Sequence, residues 1–305
     1  MPERTYDIAV IGAGPAGLTA AIYARRAGHS VVVIEGAGLG GQIASANEVE
    51  NYPGFSRISG MDLAMSFYTQ AEALGAELEF EQAIAAELSG EVKSITTTGG
   101  VIYASSVIVA TGARCRRLGV AREEELTGSG VSYCAVCDGA FFKGKAVAVC
   151  GGGNSAFDDA LYLAQYCPEV YLIHRRDSFR CEKARLEAVM RAENIRLVTS
   201  SVITEILGEK TVSGVRVASV KDESQERVLE VEGLFVAVGR EPQNEFLTGL
   251  ELEDGYVRAN ESCHTNIDGV FTAGDCRSKT IRQLTTACAD GTVAALAASE
   301  YLKTL

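Results

Sequence analysis

Two copies of one pattern run through this chain at an offset of 139 residues, and this internal repeat restricts the possible folds more than any other feature. In the first copy an apolar run, Asp7 to Ile11, leads into Gly12, Gly14 and Gly17. A stretch with apolar residues at helical spacing follows, then a second apolar run, Val31 to Ile34, ending at Glu35. In the second copy Ala146 to Cys150 leads into Gly151, Gly153 and Ala156, another helix-like stretch, and Val170 to Ile173 ending at His174. The alignment holds without a gap from Gly12/Gly151 to Ile34/Ile173. Strand, glycine turn, helix, strand is the opening unit of a doubly wound α/β fold. Its first glycine permits the tight turn, its second lets the backbone approach a pyrophosphate, and its third position must be small for helix–strand packing. The pyrophosphate rests on the helix N-terminus, where unpaired N–H groups and the helix dipole favour an anion. One such motif is a weak sign. Two aligned copies, each between a strand and a helix, predict two Rossmann-like dinucleotide-binding domains.

The residues after the second strand separate the copies. Glu35 is suited to accept hydrogen bonds from the ribose hydroxyls of an adenosine. The aligned position in the second copy is His174, followed by Arg175, Arg176 and Arg180. These cations would hold a 2′-phosphate that a carboxylate would repel. The first copy therefore reads as a site for FAD or another dinucleotide with a free 2′-hydroxyl, and the second as a site for NADPH. Two further segments reinforce the flavin reading. VIVATGA, from Val107 to Ala113, contains Thr111 and Gly112, and GVFTAGD, from Gly269, ends in Gly274 and Asp275. Each reads as a buried strand ending in a tight turn. Asp275, ahead of a helix-like run from Gln283 to Tyr301, could serve a ribityl hydroxyl or simply cap that helix. The flavin unit thus draws on both ends of the sequence. Residues 115–241 are expected to form an NADPH domain inserted into an FAD domain made of 1–114 and 242–305, an α/β architecture that suits 305 residues.

Composition removes several classes. The formal net charge is −12, which argues against a nucleic-acid partner. No run approaches the roughly 18 consecutive apolar residues of a membrane span, and the first residues lack the form of a secretory signal, so a cytoplasmic location is expected. Nine cysteines, an odd number, make a secreted disulfide framework a poor fit. Two of them form SYCAVCDG, Ser132 to Gly139, in which Cys134 and Cys137 could be half of a zinc site, a structural disulfide or a redox pair. Zinc normally takes four ligands, and there is no second C-x-x-C, while the three histidines, His29, His174 and His264, are scattered; no metal site is expected. A pair cycling between dithiol and disulfide fits a chain with two electron-carrier sites. Asp138 beside it is a candidate proton donor and acceptor, or else a turn residue in Asp-Gly. Because the pair and the NADPH motif share the inserted domain, they are expected to take turns at the flavin by a domain rotation.

With these motifs in this order, the chain resembles the low-molecular-weight, bacterial-type thioredoxin reductases from about Tyr6 to Leu302. The stretches that carry the resemblance are GAGPAGLTAAIYARRAG, GGQIASANEVENYPG, CAVCDG, GGGNSAFDDALYLA, HRRDSFR and AGDCRSKTIRQLTTACADG. The resemblance implies that Cys137 is the thiol next to the flavin, Cys134 the one that attacks thioredoxin, and Asp138 the acid/base. It implies that Gly12, Gly14, Pro15, Ala16 and Gly17, with Glu35 and Gly36, hold the adenosine and pyrophosphate of FAD. Gly40, Gly41, Gln42 and Asn51 would line the flavin, together with Thr111, Gly112, Gly274 and Asp275 and with Arg282, Gln283 and Leu284. On the NADPH side it implies Gly151, Gly153, Asn154, Ser155 and Ala156, the cluster His174, Arg175, Arg176 and Arg180, and Gly239. The family implies a homodimer and a tightly held FAD. Ferredoxin-dependent relatives have lost the second glycine motif and the HRR-x3-R cluster, both intact here, and ferredoxin-NADP reductases lack the C-x-x-C. A non-catalytic flavin-binding sensor would need no redox pair. A thioredoxin-like or glutaredoxin-like protein is the alternative partner.

Overall fold

A computed structural model describes residues 4–222 and 225–305. It divides into two compact units. One is formed by Met1–Arg114 with Glu241–Leu305, the other by Cys115–Arg240.

The first unit is built on a seven-stranded sheet. Strand Arg4–Ile11 lies parallel to Val31–Ile34 on one side and to Gly100–Val109 on the other, and Val31–Ile34 in turn pairs with Glu77–Glu79. Gly100–Val109 is long enough to carry two partners along its other edge. Lys93–Thr97 runs antiparallel to its first half, and Val270–Thr272 runs parallel to its last three residues. Alternation sends Ile8 and Val10 to one face and Ala9 and Ile11 to the other, and both faces are covered. That is why these strands read as continuous apolar runs rather than as alternating ones.

Helix α1 (Pro15–Arg26) follows the first glycine turn and packs on the C-terminal helix α6 (Leu284–Leu302). Both contacting faces carry small residues, Ala16, Ala20 and Ala24 against Ala294, Ala295 and Ala298, all buried. At the crossing is Gly291, where an added Cβ would lie 2.2 Å from the Ala16 carbonyl oxygen. Side chains this small let two helix backbones touch, and the C-terminal segment thereby becomes part of the first unit. Helix α2 (Gly60–Ala73), capped by Ser59, packs on α1.

The second unit repeats the plan with a five-stranded parallel sheet in the order Ile195–Val198, Val170–Ile173, Val147–Cys150, Gly233–Val236, Val131–Ser132. Helix α4 (Asn154–Leu163) follows the second glycine turn, with α3 (Ala135–Asp138) before it and α5 (Lys183–Arg191) after it. Its sheet is also covered on both faces. Val147 and Val149 point towards Phe157 and Leu163, and Ala148 points to the side closed by the antiparallel strands Ser201–Leu207, Gly214–Ser219 and Glu226–Leu229.

If the α1–α6 contact holds the C-terminal segment in the first unit, replacing Gly291 by Ala must push backbone against backbone. We expect a loss of about 1–3 kcal/mol, read as a thermal midpoint several degrees lower. An unchanged midpoint would show that the helices separate at no expense.

Candidate active site

The two glycine turns share one steric device. At Gly12 a Cβ would stand 2.3 Å from the carbonyl oxygen of Ala110, just beyond strand Gly100–Val109. At Gly151 it would stand 2.4 Å from that of Ala237, just beyond Gly233–Val236. Gly12 also has φ +112°. A side chain at either position would force the turn away from the neighbouring strand. The second glycines behave differently. Around Gly14 and Gly153 nothing lies within 4 Å of a would-be Cβ, both are extended N-cap residues, and neither helix has a side-chain cap. The space beside the starts of α1 and α4 is therefore open, and the free N–H groups of a helix start, which in α1 begin at Ala16 because Pro15 has none, fit a pyrophosphate at each.

In the first unit the expected flavin residues converge on this opening. Gly40 donates its N–H to the Ala13 carbonyl, a Cβ on Gly41 would be 3.4 Å from Gly14, and one on Gly274 would be 2.8 Å from the Ala16 side chain. Gln42 donates from Nε2 to the Ala113 carbonyl. Glu35 is held differently from its expected role. Its Oε2 accepts from Ala13 N–H at 2.7 Å, while Oε1 accepts from Ala37 and Gly38 at 2.6 and 3.0 Å. The carboxylate ties the glycine turn to the loop of Gly36, and Oε2 keeps one lone pair for a ribose hydroxyl.

Asp275 lies in a short turn, Gly274–Cys276, and does not cap α6. Gln283 is the cap, with a reciprocal pair of bonds to Thr286, and Leu284 is the first helical residue, packed on the core. Arg282 lays its guanidinium 4.1 Å from the centre of the Tyr256 ring and donates to the Asp275 carbonyl at 3.4 Å. Asn51 is exposed, and no hydrogen bond between described residues draws it to this group.

Two residues that sequence reasoning missed hold this region. Asn244, 4% exposed, accepts the Thr111 hydroxyl at 2.9 Å and donates to the Gly255 carbonyl at 3.2 Å, linking the turn at Thr111–Gly112 to the chain after the insertion. Asp290, 8% exposed, accepts the Gly274 N–H at 3.1 Å and pairs with Lys279 at 2.8 Å and Arg277 at 3.3 Å. Asp290 had a visible signal, an acid inside an apolar helical run. Asn244 had none.

In the second unit Arg175, Arg176 and Arg180 are exposed, and among the described residues none is paired with a carboxylate. The Arg180 N–H bonds the Gly152 carbonyl at 2.8 Å, which brings the loop back to the glycine turn. His174 departs from the expected set of four cations. Burial lowers its proton affinity below the ordinary imidazole value, a hydrogen bond with the Ser178 backbone works against this, and the three arginines add to the lowering. Its ring lies 5.4 Å from that of Phe179 and directly over Gly152, where a Cβ would meet it at 2.2 Å. Three arginines supply the charge and the histidine shapes the turn. Asn154, at the start of α4, exchanges bonds with Glu182, its carboxamide oxygen accepting Glu182 N–H at 2.9 Å. Ser155 is exposed, Ala156 is buried, and Gly239 (φ +112°) accepts Arg116 N–H at 3.0 Å.

Cys134 and Cys137 form a disulfide. Cys134 caps α3, its Sγ accepting the Cys137 N–H at 3.2 Å, while Cys137 is exposed. In the reduced pair the same N–H would favour negative charge on Cys134. Asp138 is not a turn residue. It ends α3, Gly139 after it has an ordinary right-handed backbone, and its carboxylate accepts the Ser132 hydroxyl at 2.6 Å. Burial pushes the Asp138 carboxyl above the usual range, partly offset by that hydrogen bond. Another missed residue, Glu123, is 3% exposed and accepts the N–H groups of Leu118 and Gly119 and the hydroxyl of Tyr133, which adjoins Cys134. Burial, then this bond, pushes the Tyr133 phenol up to about 12, so it remains a donor. No group of three or more possible metal ligands occurs among the described residues.

Comparisons with known proteins agree on one family. The model of the pyridine nucleotide-disulphide oxidoreductases matches residues 6–291. A thioredoxin reductase of Listeria monocytogenes is 41% identical over 306 residues, covering 99% of this chain and 96% of its own, and one from Mycolicibacterium smegmatis is 43% identical over 304, covering 98% and 97%. The crystal structure of thioredoxin reductase from Streptococcus pyogenes superposes with a TM-score of 0.95 at 38% identity, over 99% of this chain and all of the other.

Replacing Arg175 and Arg176 by neutral residues should raise KM for NADPH about tenfold or more per arginine while changing that for NADH little. Equal effects on the two cofactors would remove the 2′-phosphate assignment.

Proposed function

The chain belongs to the pyridine nucleotide-disulphide oxidoreductase family, and on that premise we propose that it is an NADPH-dependent flavoenzyme that reduces the disulfide of thioredoxin. The observation that carries the reading is the Cys134–Cys137 disulfide in the same unit as a glycine turn flanked by three unpaired arginines. Bound FAD supplies a two-electron relay between a hydride donor and a disulfide. The first unit would hold it through the α1 amides, Glu35 and the loop of Gly274 and Asp275. The residues around α4 would hold NADPH, with Arg175, Arg176 and Arg180 on the 2′-phosphate.

The protein's own chemistry is thiol exchange and proton handling. Cys134, with an N–H directed at its sulfur, is the better thiolate and attacks the partner disulfide, giving a mixed disulfide that Cys137 then resolves. Asp138 gives and takes the proton that this exchange requires, which its raised proton affinity suits. The reading includes a homodimer, carried over from the family resemblance, and the cytoplasmic location expected from the sequence. Among the described residues no helix is long and apolar enough to cross a membrane.

Anaerobic titration of the yellow holoenzyme with NADPH should bleach the flavin, and oxidised thioredoxin should restore the colour. Bleaching by reduced ferredoxin but not by NADPH would overturn the donor assignment. Cys134→Ser or Cys137→Ser should abolish thioredoxin reduction while NADPH still bleaches the flavin, and disulfide reduction at the original rate would refute the role given to the pair.

A further inference from the structure

Ser132 ends the strand Val131–Ser132 and is 5% exposed. Its Oγ accepts the N–H of Cys134 at 3.1 Å, and its hydroxyl donates to Oδ2 of Asp138 at 2.6 Å. The Cys134 carbonyl is a second possible acceptor at 3.4 Å, but a hydroxyl has one proton, and the short contact to a carboxylate takes it. One buried hydroxyl therefore bridges the amide of one redox cysteine and the carboxylate that adjoins the other. Nothing in the sequence motif calls for a donor at this position, because the sheet, not the spacing, brings Ser132 over the end of α3.

We propose that Ser132 is a positioning residue that, while the pair is a disulfide, holds the Asp138 carboxylate in one orientation and favours its ionised form. The inference rests on the reading of Asp138 as the acid/base. A hydroxyl donating to a carboxylate stabilises the charged form, against burial, which favours the neutral one. Of the elements packed on α3, the strand brings Ser132 alone. Helix α4 brings Tyr162 against Gly139 and, one turn earlier, Asp159, whose own carboxyl burial pushes up to about 6. Neither acts on Asp138, whose proton affinity is set by burial and the Ser132 hydroxyl. Removing that hydroxyl removes the one influence that lowers the carboxyl, so its titration must move to higher pH.

The test is a carboxyl titration of the oxidised holoenzyme labelled with 13C-aspartate, with Asp138→Asn to assign the resonance. Ser132→Ala should raise the Asp138 midpoint by about one pH unit, the equivalent of one charge-assisted hydrogen bond. Ser132→Thr and Ser132→Val form an isosteric pair that separates the hydroxyl from packing, and Thr should restore the midpoint while Val should not. The limb of the pH profile for thioredoxin reduction that follows Asp138 should move with the midpoint. A midpoint that is the same in Thr and Val, or unmoved in Ala, overturns the proposal. A midpoint that moves as expected in a holoenzyme unable to reduce thioredoxin overturns the functional reading instead.

Discussion

The arrangement depends on an absent atom. At Gly12 and Gly151 there is no room for a Cβ, because the carbonyl of the residue closing the neighbouring strand occupies that place. The close approach sets where the chain turns out of the sheet and hence where α1 and α4 begin. Neither helix start is capped by a side chain. Both proposed pyrophosphate contacts follow from this, and so does the repeat in the sequence, since the same steric demand is met twice by the same residue type.

How much of this was legible in the sequence depended on whether the partners of a residue are near it in the chain. The strands, the glycine turns, the pair at Cys134 and Cys137 and the arginines after Ile173 are local patterns, and the structure keeps them as elements. Asn244 acts on Thr111 from 133 residues away, so no periodicity announces it, and Asp290, though visible as an acid in an apolar helical run, meets Gly274 only in the folded chain. Other details of the site depend on burial and on where a helix starts. His174 reads as one more cation beside the arginines because burial is invisible in a sequence, whereas desolvation lowers its proton affinity. Of the two roles open to Asp275, the capping one is taken by Gln283, since eight residues intervene before α6.

The C-terminal segment shows how a discontinuous unit is held together. Small residues bring α6 against α1, and the charges of Arg277, Lys279 and Asp290 are brought out of water beside the Gly274 turn. Buried ions demand partners, and Asp290 has two cations and an amide within reach. The same side chain thus fixes the loop proposed to face the flavin and anchors the returning chain. Stability and site geometry are determined there by one residue.

Seven further cysteines are present, and none of them is exposed. Burial pushes the thiols of Cys150, Cys167 and Cys263 up to between about 11 and 12, so almost none of each exists as thiolate at neutral pH. A protein whose task is to open disulfides handles reactive sulfur continually, and any accessible spare thiol would be drawn into scrambling. Keeping the bystander sulfurs from full exposure, three of them strongly desolvated, insulates the circuit, so that electrons leave through the Cys134–Cys137 pair.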